Sequence, residues 1–498
     1  MRPSCRQLPI TQGLLTLPAR HVVLSRTDVE RTAPGDRPAA RPRRPLREPR
    51  RPRGPDRDPH PGPEARHGHR RNRTLNYPTP ADVTRTARAL AARHPDKCRL
   101  TTIGHSRRGT PLRMLSVGRG PRHALVVAGA HPNEYVGGGT LLTLAHRALA
   151  GAHPGTVWHL VLCLDPDGAR LNEGGHHAVT LIDHYRHFFR PAPDEQPEWA
   201  PALPRPRVLP ESRALLDVIR RIRPYVQISL HSTDIGGTFA QLTRDVPGLG
   251  RTLTASADRL GIPVENAPLD ALHWPTTTPG VFVLPPPGAP ERPAAFPEDA
   301  HRSTWLAPHA HGGVTAVIEV PVWAAPRFAD LTPDPAPEQR LRHWAQRLRA
   351  HTHTARAHYE RARPHLPPPG PDPAFSMRRA VTETLRVCGP LADDWDPGHP
   401  AHTPLPGLTR ARTASIEGFA RRTPLRAAAM LLRLLEEHAP GSATAPQRAE
   451  LEALITRWCA AYSASFSATW VPVDRQIEHQ VNVTTAAVEA AEGHLAPS

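Results

Sequence analysis

A chain of 498 residues with 63 basic and 46 acidic side chains, net charge +17, is long enough for one large domain and a smaller one. No apolar run approaches the roughly 20 residues a membrane helix needs, and segment 8–17, broken by Thr, Gln and Gly, makes a poor export signal, so neither a membrane span nor secretion is expected. Cys5, Cys98, Cys163, Cys388 and Cys459 are scattered without a Cys-x-x-Cys pair and read as reduced thiols of a cytoplasmic protein. Residues 1–75 hold 18 Arg against 7 acidic residues, a net +11, in a Pro-rich stretch too poor in apolar side chains to fold. Such a tail could hold nucleic acid through its charge, but no recognition motif accompanies it, and no specific nucleic-acid partner is expected. Lys97 is the only Lys and Arg and Pro are over-used throughout, a pattern that fits GC-rich coding and a start assigned upstream of the native one.

From residue 76 the pattern alternates. Val83, Ala87, Leu90 and Ala91 recur at helical spacing over 81–94, and Pro95 ends that helix. Strands are expected near 98–104, 111–117, 123–130 and 157–164, with a helix over 140–150 between the last two. A helix over 210–223, a strand ending at His231, a helix over 252–260 and a strand over 312–321 complete an α/β domain, a mixed central sheet with helices on both faces. The long Pro/Gly-rich connection 263–311 reads as a lid or specificity loop, with His309 and His311 as candidates for its mouth. Beyond about 333 the pattern is helical: 338–363, 413–438, 445–466 and 474–495. The divisions expected are thus a tail (1–75), a catalytic domain (76–332) and a helical region (333–498) that covers the sheet, offers a homo-oligomer contact or caps the substrate.

Three apolar runs end in residues that carry chemistry. Leu125-Val126-Val127-Ala128-Gly129-Ala130 leads to His131 and Glu134, and Tyr225-Val226-Gln227-Ile228-Ser229-Leu230 leads to His231. Gly313-Val314-Thr315-Ala316-Val317-Ile318 leads to Glu319, a carboxylate costly to bury among β-branched residues unless paired, protonated or near a metal. Taken singly, each has an ordinary structural reading. Together, two His and one Glu are a catalytic zinc donor set, and a further carboxylate to handle a water completes a hydrolytic one. Gly137, Gly138 and Gly139, just after Glu134, read as a close backbone approach to metal or substrate.

In this order the residues resemble the M14 family of zinc carboxypeptidases. The resemblance spans roughly 77–323 and includes Gly104-His105-Ser106-Arg107-Arg108-Gly109-Thr110-Pro111-Leu112, similar to the family's early hairpin. Asp165-Pro166-Asp167-Gly168 resembles its Asn-Pro-Asp-Gly turn, with Asp in place of Asn. It implies one zinc ion on His131, Glu134 and His231, Glu319 as general base, and an oxyanion-facing Arg from 184–190, with Arg190 preferred by position over Arg186. The implied substrate is a peptide or an acyl-amino acid. No Asn-Arg pair lies between Gly168 and His231 and no Tyr between His231 and Glu319, so the family's carboxylate clamp and mobile Tyr have no counterparts there. His131-Pro132-Asn133-Glu134 and Leu230-His231-Ser232-Thr233 also resemble the aspartoacylase and succinylglutamate desuccinylase group, which implies deacylation of a small N-acyl amino acid. A third reading keeps the fold as a non-catalytic binding module.

Overall fold

The computed structural model of the chain describes residues 76–287, 299–368, 373–405 and 407–493. The expected tail over 1–75, with Cys5, lies outside the described residues. Thr79 opens the fold with a capping box, its hydroxyl accepting from the Asp82 amide while the Asp82 carboxylate accepts from the Thr79 amide. Helix α1 (Pro80–Arg93) then buries Val83, Ala87 and Leu90, the face its spacing predicts. Strands β1 (Cys98–His105), β2 (Pro111–Val117) and β3 (Arg122–Val127) lead to α2 (Val136–Leu149) and β4 (Thr156–Val161). Three helices follow, α3 (Pro166–Leu171), α4 (Leu181–Arg186) and α5 (Pro210–Ile222), then β5 (Val226–Gly236), β6 (Phe239–Leu242), α6 (Leu249–Leu260), β7 (Thr276–Thr278), β8 (Val281–Val283) and β9 (Val314–Ala324). The C-terminal region comprises α7 (Pro337–Ala362), α8 (Pro373–Trp395), α9 (Arg410–His438), α10 (Ala445–Phe466), β10 (Thr469–Trp470) and α11 (Val473–Gly493).

The strands form one mixed sheet in the order β1-β2-β4-β3-β5-β9-β6-β8-β7, with β10 added beside β9. Its middle, β4-β3-β5-β9, is parallel, so those strands all deliver their C-terminal ends to the same edge. Ligands bind beyond that edge in open α/β sheets because the loops diverge there. Side chains alternate between faces. In β5, Val226, Ile228 and Leu230 enter the core shared with α1, α2 and α11, which leaves Gln227, Ser229 and His231 on the face that α5 partly covers.

Two sequence expectations are corrected. Gly137, Gly138 and Gly139 lie inside α2, not in a turn beside the candidate metal ligands. A Cβ at Gly137 would stand 2.9 Å from Ala128 Cβ, and one at Gly139 would stand 2.4 Å from Ile477 Cδ1. These glycines therefore let α2 close onto the sheet and onto α11. The long connection 263–311 is not one loop either, since β7 and β8 extend the sheet from within it and Ala271 and Phe282 pack on Phe239.

In the C-terminal region α7, α8, α9 and α10 bury apolar faces against one another, with Leu348, Leu391, Met430 and Ile455 essentially inaccessible. The sequence reading had no helix at α8, which a Gly389-Pro390 pair interrupts on paper but not in the fold. Helix α11 leaves this bundle and returns to the sheet, where Val481, Val483 and Val488 join the core behind β3 and β5. Cys98, Cys163, Cys388 and Cys459 are free thiols. None of the described helices is long and apolar enough to cross a membrane.

Candidate metal centre

Each member of the site owes its position to the parallel middle of the sheet. His131 and Glu134 lie in the turn after β3, His231 is within β5, and Glu319 is its register partner on β9. Parallel pairing points the His231 and Glu319 side chains to the same face. His131, Glu134 and His231 are buried, and their donor atoms converge. Glu134 Oε1 is 3.1 Å from His131 Nδ1, Glu134 Oε2 is 2.9 Å from His231 Nδ1, and the two Nδ1 atoms are 3.0 Å apart. A tetrahedral zinc with N and O ligands at about 2.0–2.1 Å needs donors about 3.3 Å apart. The cluster fits that ion in donor type, spacing and burial.

The charges of the cluster are strongly linked. Burial opposes ionisation of Glu134, yet His131 and His231 hold its carboxyl well below the usual range. Burial and the Arg190 cation push His131 down to about 4, so it is neutral and able to ligate at ordinary pH. Burial would lower His231 too, but Glu134 and Glu198 outweigh it and hold its imidazole well above the usual value. Burial, then the charge of Glu134, raises Glu319 to about 8. Glu319 Oε2 is buried without a hydrogen-bond partner, an oxygen left for something the described residues do not supply.

Arg190 comes to the cluster and Arg186 does not. Arg190 donates to Glu134 Oε1 at 2.9 Å, and its second amino group lies 3.0 and 3.1 Å from the two His131 ring nitrogens. Asn172 fixes this stretch by accepting from the Phe189 amide and donating to the Phe189 carbonyl. Arg433 of α9 binds the carbonyls of Leu171, His187 and Phe188. Arg186 instead faces solvent on α4 and pairs with Glu452 of α10. An (i, i+4) step within a longer helix would have aimed both arginines alike, but α4 ends at Arg186 and turns the chain before Arg190. His309 is bonded to Thr243 and His311 is exposed, so neither lines the cavity at the site.

Glu198 escaped the sequence reading. It sits between two short 3-10 turns, with no periodicity to single it out, and it is buried behind His231. Its carboxylate accepts from Ser229 Oγ at 2.7 Å and Trp305 Nε1 at 2.9 Å, and lies 3.2 Å from His231 Nε2. His231 thus has one nitrogen in the cluster and the other on a carboxylate, the arrangement that orients metal-binding imidazoles.

In front of the cluster lies a cavity of about 920 Å³, within the range of small-molecule sites. Glu319, Arg190 and Trp305 line it together with Val387 of α8 and Phe419, Arg422 and Arg426 of α9. Helices α8 and α9 therefore contribute side chains to the cavity wall.

Residues 83–235 match the family model described as zinc carboxypeptidase, Peptidase_M14. No curated protein matches the chain. Similar solved structures include the carboxypeptidase A from Helicoverpa armigera, at 13% identity and a TM-score of 0.32, covering 49% of this chain and 64% of that one. A putative metallopeptidase from Shewanella denitrificans is similar at 15% identity and a TM-score of 0.33, covering 48% and 81%. The metallo-carboxypeptidase from Burkholderia cenocepacia is similar at 17% identity and a TM-score of 0.31, covering 50% and 62%. The chain thus spans less than two thirds of the length of the first and last of these. His131, Glu134, Glu198 and His231 fall inside the matched residues, whereas Glu319 and all of α7 to α11 fall outside them. The match to the zinc carboxypeptidase model thus covers residues 83–235 and contains the His131, Glu134 and His231 cluster.

Proposed function

We propose that the protein is a zinc-dependent hydrolase that cleaves an amide bond in a small peptide or acyl-amino acid. The observation that carries this reading is the convergence of His131, Glu134 and His231 at 2.9–3.1 Å, with Glu319 in register beside His231 and lining the same cavity. His131, Glu134 and His231 would hold the zinc, which would supply Lewis acidity toward an amide carbonyl and lower the pKa of a water to about 7. Glu319 takes a proton from the attacking water as its oxygen bonds the carbonyl carbon. It then returns that proton to the leaving nitrogen as the carbon–nitrogen bond breaks. Arg190 faces the same space with its guanidinium and stabilises the oxyanion. A base must be ionised; burial, then the charge of Glu134, raises Glu319, and a cation on Glu134 would offset the second of these.

Deacylation of a small N-acyl amino acid has one observation in its favour over attack on long peptides. Helices α8 and α9 contribute to the wall of the cavity that Glu319 also lines, which suits a substrate that enters whole. The test is metal content with turnover on acyl-amino acids and short peptides. About one zinc per chain is expected, lost in His231→Ala. Glu319→Gln should keep the metal while turnover falls by about 10²- to 10⁴-fold, the contribution of a positioned base. Wild-type protein that takes up no zinc would overturn the reading.

A further inference from the structure

The residues between α4 and Arg190 have a partner for every main-chain polar group. The amides of His187 and Phe188 donate to the His184 and Tyr185 carbonyls, closing the last turn of α4, and the Phe189 amide donates to Asn172 Oδ1. Of the carbonyls, Phe189 accepts from Asn172 Nδ2, while His187 and Phe188 accept from Arg433 Nη1 at 2.9 and 3.1 Å. The same nitrogen donates at 2.8 Å to the carbonyl of Leu171, the last residue of α3. Both α3 and α4 are six residues long, and a helix end leaves carbonyls without intrahelical donors and a negative pole that favours a cation. One guanidinium thus closes two helix ends, with its other amino group on Glu437 at 3.2 Å. Phe188 and Phe189 are buried, so the stretch is held by its side chains as well. Arg190 follows at once and reaches from this fixed base to Glu134 and His131.

We propose that Arg433 is the positioning residue for Arg190: by bridging the ends of α3 and α4 it sets the direction from which the Arg190 guanidinium meets the donor cluster. The proposal rests on the hydrolase reading for what Arg190 does, but not for how it is held. It gives the C-terminal region a part in the geometry of the site, through a residue well outside the matched segment 83–235. The competing account is that Arg433 adds only its charge to the field of the protein. A thermodynamic cycle separates the two, because only a positioning residue acts through Arg190.

The test measures zinc affinity of the full chain, by competition with a chromogenic chelator, in wild type, Arg190→Gln, Arg433→Gln and the double variant. Arg190→Gln is expected to bind zinc about tenfold more tightly, since a cation no longer stands beside the donor set. Arg433→Gln should tighten zinc about threefold, as Arg190 swings from the cluster, and change nothing further in the Arg190→Gln background. Equal factors in both backgrounds, or no change in either, would overturn the proposal. If Arg433→Gln does not fold, Arg433→Lys decides, because it keeps the charge without the planar fork; a zinc affinity equal to wild type then overturns it. In turnover, Arg433→Gln should lower kcat about tenfold with KM held within about twofold, the mark of an interaction made in the transition state, and an unchanged kcat overturns the proposal too. Zinc-loaded wild type that turns over no acyl-amino acid or peptide would overturn the hydrolase reading and leave the zinc cycle to decide the positioning.

Discussion

His231 meets the donor cluster through Nδ1 and Glu198 through Nε2, so Glu198 determines which ring nitrogen keeps its proton. Replacing it by Gln preserves volume but weakens that acceptor. Zinc affinity is expected to fall about 10- to 100-fold, the range for outer hydrogen-bond partners of metal ligands, in competition with a chelator; unchanged affinity would assign the imidazole's orientation to Ser229 alone. The four residues proposed to carry the chemistry could be read from the sequence because each follows an apolar run that must be a buried strand, and a polar group there needs a reason. Glu198 had no such frame: its partners are 31, 33 and 107 positions away. Asp165 is a second residue-scale case, standing where the resembling turn has Asn. It is fully buried, caps α3 through the Gly168 amide, and burial raises it to about 7 against the pull of Arg107. A carboxyl raised in the fold favours folding fully only below its unfolded value near 3.8, and that stabilisation is lost as pH rises through 7. Asp165→Asn is therefore expected to stabilise the protein by about 1–3 kcal/mol at pH 8, on the scale of one to two pKa units, and to give no gain at pH 4. Urea unfolding at the two pH values checks it, and a loss at pH 8 would mean that the added N–H finds no acceptor.

At the scale of elements, α9 joins the helical region to the site. Arg426 meets Asp234 on β5, which also accepts from Tyr185 of α4 at 2.6 Å, so one buried carboxylate ties three elements together. The Arg426 cation, with His184, holds Asp234 well below the usual carboxylate range despite burial. Removing one partner of a buried pair leaves the other uncompensated, and Arg426→Met is expected to cost about 3–5 kcal/mol at neutral pH. A depressed carboxyl contributes stability above its unfolded value of 3.8 that is lost as pH falls, so the difference from wild type should shrink below pH 4. Equal unfolding midpoints at pH 7 would contradict this account. The apolar run Ala427–Leu435 made this helix plain in the sequence, but periodicity shows only that a face is buried. It does not show what it is buried against, and Arg422, Arg426 and Arg433 on α9 look in sequence like any others in an Arg-rich chain.

At the scale of the molecule, α11 decides whether the α/β layer can stand without the C-terminal region. Composition suggested a cut near 333, because the alternation of strands and helices stops there. Yet α11 lies on α2, α6 and β9, on the face of the sheet opposite the metal ligands. Gln480 donates to the His231 carbonyl at 2.8 Å and accepts from Thr140 of α2 at 2.8 Å, so α11 holds the ligand strand by its backbone. Val481, Val483 and Val488 are fully buried in the main core. Each such side chain contributes about 1.5–3 kcal/mol, and three of them approach the roughly 5–15 kcal/mol that separates a folded domain from its unfolded chain. A chain ended after Ser467 would also leave the His231 carbonyl without its Gln480 partner. It is expected to lose its near-ultraviolet circular dichroism and its zinc together, in one step rather than two. Residues 76–332 folding alone with one zinc bound would show instead that the sheet is self-sufficient and that α11 only covers it.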